Sequence, residues 1–406
     1  MKRKIFWTVG VLTALLLSGC GAKPAERIKP VAVELEDAVE SKAAADQEIV
    51  IETDRADVPE ETDAPEAEKP SAPEQEGTEP VRLLFSGDVL LSNYVVSAYE
   101  NAGGIHGVLD DGYRQLIDDA DFFFVNEEFP FSDRGTQAPD KQYTFRLAPK
   151  KVSMLLEMGV DAVSLANNHA LDFGTDALLD TCDTLDGAGI LRTGAGASLD
   201  EAKRAVETEI QGKKVAIIGA TRVIPVAEWA TFGDNPGMLA TYDPTILLEE
   251  IKTLDETNDY VIVFVHWGIE RAEHPEEYQR KMGQQYIDAG ADIVIGSHPH
   301  VLQGVEYYKD KPIVYSLGNF VFGSSIPRTM LLEVELGGDG TLAVHEGETD
   351  TEEHTSDIAL TVHPGTSNGG YTRMLDTEQE KKKFYNYLES ISYGVTFEEG
   401  AVRPQP

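Results

Sequence analysis

The sequence contains little cysteine and few basic residues. Cys20 and Cys182 are its only cysteines in 406 residues, so it has neither a disulfide framework nor a CxxC zinc site. Its 34 Lys and Arg residues face 71 Asp and Glu residues, which gives a formal charge of −37. Because nucleic acids are bound by basic surfaces, this charge excludes a nucleic-acid-binding protein. The nine histidines leave open a metal site built from imidazole and carboxylate groups.

The first twenty residues have the pattern of a secretory signal. Three basic residues precede an apolar stretch at residues 5–17, which is shorter than the ~20 residues that a membrane span needs. The ending Leu17-Ser-Gly-Cys20 resembles a bacterial lipobox, which implies cleavage before Cys20 and lipidation of its thiol. A plain signal peptide or a short anchor is the alternative. We expect the chain to work outside the cytoplasm, lipid-anchored on the extracytoplasmic face of the cell membrane.

Residues 21–80 have the composition of a disordered tether. Between residues 31 and 80 there are 17 acidic and 3 basic residues, five prolines and no aromatic ring. Residues 81–406 keep 53 acidic and 25 basic residues, so they are also strongly acidic. The negative electrostatic field of these residues repels an anionic substrate unless a metal ion or a local basic patch offsets it.

The pattern after residue 319 is weaker and predicts packing elements. Residues 329–334 favour a strand, and residues 378–391 favour an amphipathic helix. His345, His354 and His363 have no neighbour at ligand spacing, so we interpret them as non-ligands. The predicted organisation is therefore a signal (1–20), a linker (21–80), a folded domain (81–330) and C-terminal packing elements (331–406).

Six short apolar runs between residues 81 and 319 each lead into polar residues. The runs are rich in β-branched residues and alternate with helical patterns, which predicts an α/β fold. Because ligands of open α/β sheets bind beyond the carboxyl ends of the strands, we expect the loops to meet at one rim. The polar residues that follow the runs are Asp88; Asn126, Glu127 and Glu128; Asn168, His169 and Asp172; His266 and Glu270; His298 and His300; and Asn319.

Four histidines in this set favour a metal site. Imidazole, carboxylate and amide groups together suit a divalent cation such as Zn²⁺, Mn²⁺ or Fe²⁺. His298 and His300 are two residues apart, which on an extended segment places both on one face, and Pro299 disfavours a helix there. Each histidine alone is better explained as a hydrogen-bonded core or rim residue. Taken with His169 and His266, the set predicts a metal centre.

Several acidic and amide residues have two interpretations. Asp88 caps a helix or binds the metal, and Asn168 shapes a turn or faces the site. Asp172 begins the helix predicted at residues 175–185 or orients His169. Because adjacent side chains on a strand alternate, we expect either Glu127 or Glu128 to face solvent or to pair with Arg146.

The motifs resemble those of a known family. They occur in the order found in the bacterial capsule-synthesis protein CapA family, which is associated with poly-γ-glutamate production, and the resemblance covers residues 81–325. That family is similar to the calcineurin-like metallophosphatases, which implies a four-layer αββα sandwich with two metal ions at the strand ends. The motifs are Gly87-Asp88, Asn126-x-Glu128-x-Pro130, Ala166-Asn-Asn-His169-x-x-Asp172-x-Gly174, His266-Trp-Gly-x-Glu270, Gly296-Ser-His-Pro-His300-Val-Leu and Tyr315-Ser-Leu-Gly-Asn319-Phe.

The resemblance implies a role for each site residue. His169 would protonate a leaving group or steady the transition state, with Asp172 beside it. Metallophosphatases begin with Asp-x-His, whereas Leu90 stands here, so the first metal loses an imidazole and a one-metal or vestigial site stays open. The implied ligands are Asp88 and His300 for the first metal, Glu128 as the bridge, and Asn168, His266 and His298 for the second; Glu270, Asn126 and Asn319 are substrate-binding or supporting candidates.

Two functions of different classes are compatible with these residues. The first is a metal-dependent hydrolase or transferase that acts on a phosphoester or on the γ-amide of a glutamate polymer. The second is a non-catalytic accessory protein that binds poly-γ-glutamate or its synthase. A scaffold whose rim binds nothing is a third interpretation. Whether the chain is an enzyme stays open at this point.

Overall fold

The computed structural model describes residues 80–323, 325–337 and 357–405. The predicted signal, the lipidation site Cys20, nearly all of the linker, and His345 and His354 lie outside these ranges. Within them, no helix has the length and hydrophobicity needed to cross a membrane.

The described residues form alternating strands and helices. The strands are β1 (Val81–Val89), β2 (Phe122–Glu127), β3 (Ala162–Ser164), β4 (Leu191–Thr193), β5 (Ala195–Gly196), β6 (Val206–Ile210), β7 (Lys213–Thr221), β8 (Gly237–Met238), β9 (Tyr260–His266), β10 (Ile293–Ser297), β11 (Leu302–Tyr308), β12 (Lys311–Leu317), β13 (Asn319–Val321), β14 (Ser325–Leu336), β15 (Ile358–Asn368), β16 (Tyr371–Met374), β17 (Val395–Glu398) and β18 (Ala401–Pro404). The α-helices are α1 (Asn93–Ala102), α2 (Asp111–Asp118), α3 (Ser153–Glu157), α4 (Thr175–Ala188), α5 (Leu199–Ala202), α6 (Thr245–Asp255), α7 (Glu277–Asp288) and α8 (Glu378–Ser390).

The strands of the described ranges form two large sheets. The ten-stranded sheet runs in the order β17-β18-β15-β14-β1-β2-β3-β4, with β13 beside β1 and β16 beside β15. The six-stranded sheet runs in the order β11-β12-β10-β9-β7-β6. Strands β1 to β4 are parallel, as are β7, β9, β10 and β12. All six predicted apolar runs lie in these parallel strands.

Three apolar cores define four layers. The central core joins the facing surfaces of the two sheets, where the rings of Phe124 and Phe264 are 5.0 Å apart. A second core packs Phe123 of β2 against α2 and α4, and a third packs Val263 of β9 against α6 and α7. Every residue of β9 is buried, which explains its unbroken apolar run. The predicted α/β class and the αββα sandwich are confirmed.

The C-terminal elements belong to the same sheet. Strand β14 contains the predicted strand at residues 329–334 and pairs antiparallel with β1, so that Leu83 lies opposite Val334. The domain boundary predicted at residue 330 lies inside this strand. Helix α8 matches the predicted amphipathic helix and packs Phe384 and Leu388 into the central core. Pairing between strands about 250 residues apart leaves no local signal in the sequence.

Candidate metal centre

The ends of parallel strands from both sheets meet at one site. In the ten-stranded sheet, Asp88 at the end of β1 lies opposite Asn126 of β2 and Asn319 of β13. In the six-stranded sheet, His266 at the end of β9 lies opposite Ser297 of β10. The Nδ2 atom of Asn126 is 3.4 Å from Nδ1 of His266, so the two sheets touch through their site residues.

Two groups of side chains in the described ranges have the spacing of metal ligands. Asp88, Glu128 and His300 form one group, and Glu128, His266 and His298 form the other. Within each group, one ligand atom from each residue lies within 4.8 Å of the others. Glu128 belongs to both groups, which places its carboxylate between two adjacent positions for a cation.

The spacing around Glu128 leaves room for a cation. Its Oε1 atom is 3.8 Å from Nε2 of His300 and 3.9 Å from Nε2 of both His266 and His169. Ligands that each bind a metal ion at about 2.1 Å are at most ~4.2 Å apart, so these gaps fit a shared ion. Neither carboxylate oxygen of Glu128 has a hydrogen-bond partner, although the residue is fully buried, and Nδ1 of His298 is also unpaired. Because an unpaired buried polar group costs ~1–3 kcal/mol, these residues fit a bound cation.

The pKa values of the ligand candidates reflect burial and crowding. Burial, with the charge of Asp88, raises the pKa of Glu128 well above its usual range. Burial lowers the pKa of His266 well below its usual range and that of His298 to about 4. Burial opposes a charge on His300 as well, but Glu128 and Asp88 outweigh it and raise the pKa of His300 to about 10. His266 and His298 are therefore neutral, which is the form that binds metal ions.

The backbone at His298 and His300 differs from the extended geometry predicted from their spacing. Strand β10 ends at Ser297, and the φ angles of His298 and His300 are +99° and +57°. The extended prediction was wrong because Pro299 disfavours only a right-handed helical residue before it and does not impose a strand. The two rings are nevertheless 5.8 Å apart, and the backbone N–H of His298 donates to Oδ1 of Asp88 at 3.3 Å. Left-handed backbone in non-glycine residues carries strain, which is common at functional sites.

His169 and Asp172 form a hydrogen-bonded pair on one wall of the site. Nδ1 of His169 is 2.7 Å from Oδ2 of Asp172, and the aspartate is fully buried. Helix α4 begins at Thr175 with Gly174 as its cap, so Asp172 does not cap it. Burial lowers the pKa of His169. Of the two interpretations of Asp172, the structure supports the one in which it orients His169.

Amide side chains connect the metal ligands. Oδ1 of Asn168 is 2.8 Å from Nε2 of His266, so both atoms can face one ion. The side-chain amide of Asn126 donates to Oδ1 of Asp88 at 2.9 Å. Oδ1 of Asn319 lies 2.8 Å from Nδ1 of His300. Asn126 and Asn319 therefore position two of the ligand candidates. Their predicted contact with substrate stays a prediction.

The prediction for Glu127 and Glu128 was wrong. Both residues are buried, and the guanidinium of Arg146 lies over the ring of Phe173 and donates to the carbonyl of Arg134. The alternation of side chains is real, but both faces of the sheet are covered, one by the second sheet and the other by helices. Glu127 therefore has no solvent to face. Burial raises its pKa well above the usual range.

Sequence reasoning missed Lys141 and Phe145. The ammonium group of Lys141 contacts Asp172 and the carbonyl of Asn168, and it lies 3.0 Å from Nδ1 of His169. The ring of Phe145 packs against that of His169 at 4.4 Å. Both residues lie in an irregular loop after β2, outside every apolar run. A single lysine in such a loop carries no signal that it returns to the site.

The comparisons with known proteins agree with the motifs. A model of the bacterial capsule synthesis protein family PGA_cap matches residues 82–324, more than half of the chain. The chain belongs to this family. The PGA biosynthesis protein CapA of Bacillus subtilis (strain 168) is 33% identical over 264 residues, which cover 63% of this chain and 68% of that protein. The capsule biosynthesis protein CapA of Bacillus anthracis is 31% identical over 276 residues, 65% of this chain and 66% of that protein. The chain thus spans about two thirds of the length of these relatives.

Among solved structures, the NAD nucleotidase NadN of Haemophilus influenzae is similar in fold. It matches with a TM-score of 0.41 at 13% identity, over 77% of this chain and 63% of that chain. The fold itself is defined by the two sheets and the three apolar cores. The resemblance to the CapA family that the six motifs indicated is confirmed by the family match.

Two features of this PGA_cap member bear on the number of metal ions. Leu90 is buried in the apolar core between the ten-stranded sheet and its helices, so it faces away from the ligands. Glu270 is exposed and belongs to neither ligand group. Its negative charge contributes to raising the pKa of Glu128 and opposes the lowering of the pKa of Lys141 by burial. Glu270 is therefore not among the side chains that this geometry brings together as ligand candidates.

Proposed function

We propose that the chain is a lipid-anchored, extracytoplasmic protein of poly-γ-glutamate capsule synthesis or export whose metal centre performs hydrolysis. The family match and the names of the two Bacillus relatives support the role in capsule synthesis. The N-terminal lipobox pattern supports the anchor. Partners would be the anionic polymer and subunits of the capsule synthase.

One observation carries the catalytic part of this proposal. The carboxylate of Glu128, shared by both ligand groups, lies 3.9 Å from Nε2 of a histidine whose other ring nitrogen is held by Asp172. His169 belongs to neither ligand group, so it is free to act on a substrate beside them. A histidine oriented by a carboxylate beside a metal position is the arrangement of a general acid or base.

The residues of the chain would divide the work as follows. Asp88, Glu128, Asn168, His266, His298 and His300 would hold one or two ions of Zn²⁺, Mn²⁺ or Fe²⁺. A bound divalent cation would supply Lewis-acid polarisation and make water more acidic. His169, held at Nδ1 by Asp172, would accept a proton at Nε2 from the attacking water and then deliver it to the leaving oxygen or nitrogen.

The substrate would be a phosphoester or the γ-amide of a glutamate polymer. Membership in a capsule-synthesis family favours the polymer, whereas the chemistry of the site favours the phosphoester. Both are anionic, so the cation and the ammonium group of Lys141 would offset the acidic field of the protein.

A non-catalytic accessory role is the second candidate. Leu90 removes an imidazole from the first metal position, and a binding protein tolerates a weaker site more easily than an enzyme does. In that case the metal centre would bind carboxylates of the polymer without breaking a bond.

Metal content and turnover together distinguish the two candidates. The full chain is loaded separately with Mn²⁺, Zn²⁺ and Fe²⁺, and metal is counted by elemental analysis beside His266→Ala and the exposed control His106→Ala. Turnover is measured on bis(p-nitrophenyl) phosphate and on γ-glutamyl p-nitroanilide. The hydrolase is supported if the metal content falls in His266→Ala but not in His106→Ala, and if the wild-type protein turns over either the phosphate ester or the γ-glutamyl amide. Metal without turnover favours the accessory role, and no metal in any form refutes the proposed centre.

A further inference from the structure

Lys141 lies in a segment without regular structure that passes along the wall of the metal centre. We call this segment, residues 132–147, the strap. The side chain of Lys141 is 14% exposed, and its ammonium group donates to Oδ1 of Asp172 and to the backbone carbonyl of Asn168. It also lies 3.0 Å from Nδ1 of His169. Lys141 therefore connects Asp172, whose carboxylate orients His169, with Asn168, which directly precedes His169 in the chain.

Several backbone groups of the strap bind around the same aspartate. The N–H of Ala138 donates to the carbonyl of Asp172 at 2.8 Å, and the N–H of Phe145 donates to its Oδ2 at 2.7 Å. The N–H of Thr136 donates to the carbonyl of Phe173 at 3.1 Å. Both carboxylate oxygens of Asp172 thus accept hydrogen bonds from the strap. The strap therefore holds the Asp172 carboxylate in place through both of its oxygens.

The same contacts determine which nitrogen of His169 carries the proton. An ammonium group only donates, and an ionised carboxylate only accepts. Nδ1 of His169 is closer to Oδ2 of Asp172, at 2.7 Å, than to Nζ of Lys141, at 3.0 Å. Because a carboxylate oxygen accepts, the short contact places the proton on Nδ1. The lone pair then resides on Nε2, which faces Oε1 of Glu128.

We propose that Lys141 is a positioning residue that holds the Asp172 carboxylate against Nδ1 of His169 and so fixes His169 as the Nδ1–H tautomer, with Nε2 directed at the metal centre. None of the six family motifs contains Lys141, and the residue contributes no ligand atom to either metal group. The kinetic consequence of this inference rests on the proposed hydrolytic function. Its structural consequence, the tautomer, does not.

The test uses the full chain loaded with zinc, which is diamagnetic. Wild type is compared with Lys141→Met, which keeps the length of the side chain without its charge, and with Lys141→Arg, which keeps the charge. The tautomer of His169 is measured by ¹⁵N NMR of histidine-labelled protein at one fixed pH, and His169→Ala assigns the signals. Zinc content and thermal unfolding are measured on every variant, and Lys141→Gln replaces Lys141→Met if the latter does not fold.

We expect the Nδ1–H tautomer in wild type and Lys141→Arg, and a mixture of tautomers in Lys141→Met with zinc content unchanged. Turnover of the better substrate should fall ~10–100-fold in kcat in Lys141→Met, with KM changed less than about threefold, as for other residues that orient a reacting histidine. Lys141→Arg should restore most of kcat. An unchanged tautomer in Lys141→Met, or loss of zinc from that variant, overturns the inference. If wild type turns over neither substrate, the proposed function fails while the NMR comparison still decides the role of Lys141.

Discussion

Replacing Glu127 with methionine should stabilise the protein. The Glu127 side chain is 1% exposed, and neither carboxylate oxygen has a hydrogen-bond partner. Methionine has a similar length and no branch, so it can fill the same space without a polar group. Glu127 belongs to neither ligand group, although it is adjacent to Glu128. The substitution therefore removes an unsatisfied buried group and leaves the ligand set in place.

The size of the effect has a constant part and a part that depends on pH. A buried carboxyl without a partner costs ~1–3 kcal/mol even when it is neutral. Burial also raises the pKa of Glu127 well above that of the unfolded chain, so the folded state keeps a proton that the unfolded state releases. Stability therefore falls by about 1.4 kcal/mol for each pH unit between the unfolded pKa, near ~4.3, and the folded pKa. The advantage of Glu127→Met should grow by roughly 2 kcal/mol from pH 4 to pH 6.

Thermal and urea unfolding at pH 4, 5 and 6 measure this prediction. At an unfolding entropy of ~2.1 cal/mol/K per residue, a unit of about 300 residues gains about 2–5 °C in Tm for 1–3 kcal/mol. Glu249→Met, at an exposed position of α6, is the matched control and should show no such dependence on pH. An advantage of Glu127→Met that does not change between pH 4 and pH 6 would refute the reasoning. So would a loss of stability, because it would mean that the carboxyl has a partner.

Three further predictions concern the metal centre. In Gly87→Ala, the new Cβ would lie 1.8 Å from the carbonyl oxygen of Gly318, so the backbone next to the ligand candidate Asp88 would have to shift. Metal affinity measured by calorimetry should therefore fall at least ~10-fold, and an unchanged affinity would contradict this prediction. Metal affinity should rise with pH from 6 to 8, because His300, with a pKa of about 10, and Glu128 must lose protons to bind the metal ion. Calorimetry in buffers with different ionisation heats would measure this release of protons. If no protons are released, neither group is a ligand. His169→Ala should keep its metal and lose turnover, and full activity would end the role assigned to His169.

The sequence predicted six strands of the two parallel arrays and the polar residues that follow them, but not β4 or β7. Parallel strands buried on both faces need unbroken apolar runs, and their carboxyl ends meet at one edge, so Asp88 and His266 could be placed near each other. The positive φ angles of His298 and His300 could not be predicted, because an apolar run shows where a strand ends and not how the chain turns afterwards. Lys141 could not be predicted either, since 31 residues of chain separate it from Asp172.

The charges of the site explain how an acidic protein could accept an anionic substrate. Asp88, Glu128 and Asp172 are buried carboxyl groups, and the cationic groups beside them are His300 and Lys141. Lys141 is already bound to Asp172, and His300 must become neutral to bind a metal ion. A divalent cation would therefore be both the reactive centre and the main positive charge that faces the substrate. It follows that binding of a glutamate polymer should depend on metal even if the protein proves to be an accessory protein, and that a polymer bound equally well by the metal-free chain would contact another surface.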